Sequence, residues 1–240
     1  ISTLEGLGDG PREIKYVIAT EGTNPLEKPA DSITVKSNPK NILPPHLSAG
    51  YTFSGFIEGP NNQFAKKAAI RVSKTPGEGS FNPLIIYGGV GLGKTHLLHA
   101  IANALIEGKN PTNIVLASSE KFTNDFIASI QENKSLDFSR VYRKADILLI
   151  DDIQFFQGKE QTQEQFFHTF NDLLVAGKQI VMTADRYPGE MIGLQDRLLS
   201  RFESGLHADI QPPDFETRVA ILAVKAKQNN ISINPKFLET

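Results

Sequence analysis

The sequence predicts an α/β protein built on a parallel five-stranded sheet sandwiched by helices. Three observations lead there: five short apolar runs, amphipathic helical patterns between them, and a glycine-rich loop set between the first run and the first helix. The runs are LIIY (84–87), NIVLA (113–117), ILLID (147–151), QIVMT (179–183) and LHADI (206–210). Their apolar residues are continuous, as a strand covered on both faces requires. After the first run, Leu97, Ala100, Ile101, Ala104 and Leu105 keep helical spacing. Before the fourth, Phe166, Phe170, Leu173 and Leu174 do the same, and Thr162 with Gln165 is expected to form a capping box. Residues 1–48 differ: beyond one strand-like run, IKYVIA (14–19), they are dense in Gly, Asn, Pro, Lys and Ser and read as a linker. The expected organisation is a linker over 1–48, a nucleotide-binding domain over 49–213, and the start of a helical lid over 214–240.

Composition narrows the function classes. The chain has 240 residues, 40% of them hydrophobic and 22% charged, the ordinary balance of a soluble globular domain. With 25 basic and 27 acidic side chains the net charge is −2, so no global basic field is available to grip duplex nucleic acid. Any such contact must be local. The absence of cysteine excludes disulfides and cysteine-ligated zinc. His96 and His99 lie three apart without a glutamate at the spacing of a zinc-binding helix, so they read as helix residues. No apolar stretch reaches 18 residues and no signal segment opens the chain, so a cytoplasmic location is expected. Because the chain begins at Ile1 and stops soon after a helical pattern starts, a fragment is expected.

The chemistry is concentrated in GGVGLGKT (88–95), which fits G-x-x-x-x-G-K-[ST] with Gly88, Gly93, Lys94 and Thr95. A strand before it and a helix after it direct backbone N–H groups and the positive helix end at one anion. Lys94 is placed to neutralise β and γ phosphates and Thr95 to offer its hydroxyl to Mg²⁺. The predicted ligand is a nucleoside triphosphate. ILLIDD (147–152) reads as the acidic strand that accompanies such a loop, with Asp151 directed at the metal and Asp152 at the attacking water; the alternative is a helix start stabilised by acids. Asp152 is one methylene, about 1.5 Å, shorter than a glutamate at that place, which predicts slow, switch-like hydrolysis. In TADRYP (183–188), Thr183 and Asp185 both qualify as γ-phosphate sensors, or the segment is a turn before Pro188. DRLLSRF (196–202) puts Arg197 and Arg201 on one helical face, as fingers toward a neighbour's nucleotide or as partners of surface acids.

Taken together, YTFSGFIEGPNNQFAKKAA (51–69), GGVGLGKTHLLHAIAN (88–103), ILLIDDIQFFQGKEQTQEQFFHTFNDL (147–173), TADRYP and LLSRFESGLHADIQPPDFETRVAIL (198–222) resemble the AAA+ P-loop ATPase domain of the bacterial chromosomal replication initiators, the DnaA family. The resemblance extends over about residues 50–240, and the first 19 residues are similar to the tail of the family's N-terminal helicase-recruiting domain. It implies tight binding of ATP or ADP with Mg²⁺, slow hydrolysis, and assembly of the ATP form into a filament that opens origin DNA. Carried onto this chain, it assigns Gly89, Gly91, Leu92, Gly93, Lys94, Thr95 and His96 to the nucleotide and Phe56, Ile57 and Asn62 to the wall beside the adenine. It makes Asp151 and Asp152 the Walker B acids, Asp185 the first sensor, Arg201 the finger and Arg197 its support.

The same resemblance implies an extra helix over KFTNDFIASIQENKSLDFSRVYRKA (121–145), whose Phe122, Phe126, Ile127 and Ile130 otherwise read as core. It further implies single-stranded DNA contacts at Ile127, Lys159 and Thr162, weakened where Gln161 replaces an expected arginine. Self-association, a replicative helicase and acidic phospholipids are the other implied partners. The arginine of a second sensor and the helix-turn-helix that reads duplex DNA are expected outside these residues. Two alternatives carry different functions. One is an AAA+ helicase loader or an ATPase that regulates the initiator. The other, a small kinase or GTPase, lacks its base-reading motif, since Asn133-Lys134 is followed by Ser135 and Leu136.

Overall fold

The computed structural model describes residues 47–108 and 112–231. The expected strand at 14–19 and the linker that holds it lie outside these residues. Five parallel strands, β1 (Leu84–Gly88), β2 (Ile114–Ser118), β3 (Ile147–Asp151), β4 (Gln179–Ala184) and β5 (Leu206–Ile210), form one sheet in the order β2-β3-β4-β1-β5. The chain leaves β1 for the far edge at β2 and works back, so the strand order reverses beside β1. Ligands of open parallel sheets bind in the crevice at such a point, at the carboxyl ends of the strands. The register brings those ends level: Ser118 lies opposite Asp151, and Ile86 opposite Thr183.

The strands alternate strictly between two cores. Ile85, Leu148, Ile150, Ile180 and Met182 face one layer, with α3 (Ser119–Gln131), α4 (Ser135–Tyr142), α5 (Glu160–Val175) and α6 (Asp196–Glu203). Leu84, Ile86, Ile147, Leu149 and Val181 face the other, with α1 (Gln63–Lys74) and α2 (Lys94–Glu107). A seventh helix, α7 (Phe215–Gln228), follows β5; Asp214 caps it by accepting from the Thr217 N–H at 2.8 Å. In the first layer, Phe122 is fully buried and meets Phe138, Tyr142, Phe156 and Phe166 edge-on at centroid distances of 4.8–5.7 Å. Such pairs add to area burial. Among the described residues no helix is long and apolar enough to cross a membrane.

Three local expectations are corrected. The stretch 121–145 is two helices, because Asn133 takes a left-handed turn (φ 55°) between α3 and α4. Ile127 and Ile130 are 45% and 50% exposed, whereas Phe122 is core. No capping box forms at Thr162: Gly158 (φ 72°) turns the chain early, α5 starts at Glu160, and Thr162 is buried inside the first turn.

Candidate nucleotide-binding site

The glycine loop joins β1 to α2, and its geometry explains its composition. Gly93, the residue before α2, has φ 100°, and a Cβ there would stand 2.8 Å from Cε2 of Phe56. Glycine satisfies both the backbone turn and the close ring. No side chain caps the helix, which leaves its first-turn N–H groups and dipole directed into the loop. Lys94 is 7% exposed, and its ammonium donates to the carbonyls of Gly88 and Gly89, both at 2.8 Å. A buried cation is thus held over the loop, the arrangement a phosphate chain needs.

Two strand ends supply the acidic half. Asp151 accepts from the Thr95 hydroxyl at 2.8 Å through one oxygen and from the Thr183 hydroxyl through the other. Burial pushes its carboxyl above the ordinary range; the Thr183 bond opposes this and the charge of Asp152 adds to it. Asp152 is left-handed (φ 58°), a conformation that aspartate adopts more readily than most side chains and that the bonds below hold. Its N–H donates to the Thr183 hydroxyl at 2.8 Å, its carbonyl accepts from Ser119 at 2.6 Å, and its carboxylate accepts from Gln154 at 3.0 Å. The carboxylate and hydroxyl oxygens of Asp151 and Thr95 are the hard donors that Mg²⁺ prefers, so the residues present fit that ion.

Asp185 reaches this network only through its N–H, which donates to Gln154 at 3.3 Å; its carboxylate is paired with Arg186 at 3.0 Å. Of the two sensor candidates, the one whose side chain touches the acids is Thr183. It lies inside β4, whereas Asp185 lies just past its end.

Beside the loop, a cavity of about 200 Å³ is lined by Tyr51, Phe56, Ile57, Asn62 and His96 and closed by Val224 of α7. Asn62 acts on the backbone: its amide donates to the Ile57 carbonyl and accepts from the Gly59 N–H, both at 3.0 Å, fixing the loop that makes the wall. His96 donates through Nε2 to the Thr52 carbonyl at 2.8 Å and stacks on Tyr51 at 4.8 Å. One turn on, His99 accepts from the Ser48 N–H at 3.1 Å, and Asn103 donates to the carbonyls of Ser48 and Tyr51. Burial pulls both imidazoles below the usual histidine range. The spacing 96, 99, 103 places these three side chains on one face of α2. That spacing was the available signal for His99 and Asn103, which sequence reasoning did not assign.

Arg197 and Arg201 are both exposed on α6, yet differ. Arg197 is held: its Nε donates to Gln195 at 2.7 Å, Glu164 lies 3.8 Å away, and its guanidinium sits 4.9 Å over the Phe167 ring. Arg201 has no side-chain hydrogen bond or ion pair among the described residues. Away from the loop, a groove of about 630 Å³ runs between α3 and the start of α5, lined by Phe126, Ile127, Ile130, Lys159, Gln161 and Thr162. Ile127 and Lys159 are thereby brought to one groove, with Thr162 buried at its floor.

Residues 47–209 match the family model described as the bacterial DnaA ATPase domain. The chain belongs to the DnaA ATPase family. Its fold is the AAA+ P-loop architecture. Domain III of the Thermotoga maritima replication initiation protein DnaA is 47% identical, with a TM-score of 0.77 and 80% of each chain covered. AMPPCP-bound DnaA from Aquifex aeolicus is 36% identical with a TM-score of 0.75, over 81% of this chain and 60% of that one. A replication initiator DnaA bound to AMPPCP and single-stranded DNA matches with the same identity, TM-score and coverage. This chain therefore spans about 60% of those longer DnaA chains.

Proposed function

We propose that this domain is the ATP-dependent switch of a bacterial chromosomal replication initiator. ATP binds in the loop and cavity, is hydrolysed slowly, and in the triphosphate form supports self-assembly on origin DNA whose single strand it holds. The observation that carries the reading is the Thr95–Asp151–Thr183–Asp152 chain of hydrogen bonds at the sheet's carboxyl edge, beside buried Lys94. Main-chain N–H groups and Lys94 bind the phosphates; Asp152, clamped by Ser119 and Gln154, orients the attacking water. Thr95 and Asp151 would hold Mg²⁺, which would supply charge neutralisation at the phosphates. Asp185 contributes through Gln154, and α7 forms the first part of the lid over residues 214–240.

Arg201, exposed and without a side-chain partner among the described residues, is the group presented to the γ-phosphate of an adjoining protomer, with Arg197 steadying the same face. ADP cannot complete that contact, so nucleotide state is read as assembly. Moving a population from 1:99 to 99:1 takes about 5.5 kcal/mol of difference between the two states, and a charge-assisted contact to a desolvated phosphate supplies a large part. The groove holding Ile127 and Lys159 suits an apolar and cationic hold on single-stranded DNA, the class of ligand carried by one DnaA relative. A helicase loader or regulatory ATPase shares the loop and acids; the family match across 47–209 favours the initiator. A replicative helicase and acidic phospholipids remain proposed partners, in a bacterial cytoplasm. In sedimentation with ATP, Arg201→Ala is expected to bind nucleotide normally yet stay monomeric. ATP-dependent oligomers of undiminished size in that variant would reject the switch.

A further inference from the structure

Gln163, in the first turn of α5, is 1% exposed, and its amide is fully used. Its Nε2 donates to the carbonyl of Phe156 at 2.9 Å and to that of Gly193 at 2.8 Å, while its Oε1 accepts from the N–H of Gln195 at 2.8 Å. All three partners are backbone groups, and they belong to two separate loops. Phe156 ends the short turn that follows the Walker B acids. Gln195 is the residue that precedes α6, and its carbonyl accepts the first hydrogen bonds of that helix, from Leu198 and Leu199. The Gly193 carbonyl takes a second bond from the N–H of Gly158, next to Lys159 on the groove.

The helix that carries Arg201 is eight residues long and has no side-chain cap of its own. Leu198 and Phe202, both fully buried, anchor its inner face and resist rotation about its axis. They do not fix how its amino-terminal end stands relative to the Walker B turn. That end is tied down by the bond to Gln195 and the two bonds of the same amide to Phe156 and Gly193, together with the Gly158–Gly193 backbone bond and the Arg197 contacts to Glu164 and Phe167. Because one planar group makes all three, the two loops cannot shift independently without breaking at least one buried hydrogen bond.

We infer that Gln163 is a positioning residue that ties α6 to the Walker B turn and so sets where Arg201 stands for a neighbouring protomer. The inference is built on the reading of Arg201 as the residue given to the adjoining nucleotide. The requirement for an amide is chemical: the position must donate twice and accept once. An ionised carboxylate cannot donate, a thioether does neither well, and asparagine falls short by about 1.5 Å of reach. The loss should fall on what a protomer gives, its arginine, and spare what it holds, its own ATP.

Gln163→Met tests this through mixed assemblies of the protein. The variant is expected to bind ATP with unchanged affinity but to need roughly tenfold to a hundredfold higher protein concentration for ATP-dependent assembly, the effect of losing one or two buried hydrogen bonds. Gln163→Met should turn over ATP slowly on its own but faster when mixed with Lys94→Ala, which lacks the phosphate-binding lysine but keeps an intact α6, since the ATP it holds then meets a correctly placed Arg201. Mixed with Arg201→Ala it should stay slow. Should Gln163→Met fold poorly, Gln163→Asn, whose shorter amide cannot reach all three partners, carries the same comparison. Normal assembly by Gln163→Met, or failure of Lys94→Ala to rescue it, overturns the assignment. If Arg201→Ala alone assembles like the parent, the finger reading itself falls and takes this inference with it.

Discussion

The hydroxyl of Thr183 donates to the carboxylate of Asp151 and accepts, at 2.8 Å, the N–H of Asp152. One fully buried side chain therefore holds both Asp151 and Asp152 in place. Thr183→Val keeps the shape but leaves a carboxylate oxygen and an N–H unmatched. The expected cost is about 1–3 kcal/mol of stability, with slowed ATP turnover and near-parental ATP affinity, because Lys94 and the cavity are untouched. Urea unfolding and single-turnover hydrolysis measure the two effects. Thr183→Ser, which restores the hydroxyl, should recover most of both, and a valine variant with parental turnover would rule out this role.

Asp151 predicts a trade between stability and function. Burial is the main cause of its raised pKa, followed by the opposing Thr183 bond and the adding charge of Asp152. A carboxyl raised on folding binds more protons folded than unfolded, so stability falls as pH climbs from its ordinary 3.8 through the raised value, and stays lower above it. At neutral pH the buried charge is a cost that a bound cation relieves. Asp151→Asn is expected to melt higher than the parent without nucleotide and Mg²⁺, and to lose Mg²⁺-dependent stabilisation and turnover. The melting advantage should shrink toward pH 4. Thermal melts across pH, with and without Mg²⁺, check the sign; a lower melting temperature at pH 7 would contradict it.

Legibility followed the range of the interactions. The apolar runs at 84–87, 147–151, 179–183 and 206–210 became strands because a buried parallel strand needs little more than its own composition. The glycine loop was readable because its backbone demand is local, as the φ of Gly93 shows. What could not be read depended on distant partners. Gln163 serves backbone groups 30 and 32 residues away, and Ser119 reaches Asp152 across 33. No periodicity marks such a bond, so a glutamine on a helix reads as a solvated side chain. The capping box expected at Thr162 failed to form for the same reason: the tertiary turn at Gly158 moved the helix start upstream.

The groove between α3 and α5 presents two chemically different contacts, and salt separates them. In the proposed single-strand site Lys159 would meet a phosphate by charge, and each phosphate neutralised on a single strand contributes about 0.7 to the slope of log K against log salt. Ile127, 45% exposed, offers apolar area for a base or sugar, which releases no counterion. Lys159→Ala is therefore expected to weaken single-strand binding at low salt and to flatten that slope by about 0.7. Ile127→Ala should weaken binding by about 1 kcal/mol with the slope unchanged. Since Gln161 brings no charge to the groove, Gln161→Arg should steepen the slope by the same about 0.7 and tighten binding at low salt. Fluorescence anisotropy with an oligothymidylate across a salt series, in the presence of a non-hydrolysable ATP analogue, measures all three. Identical slopes for the Lys159 and Ile127 variants would mean that the strand does not run through this groove.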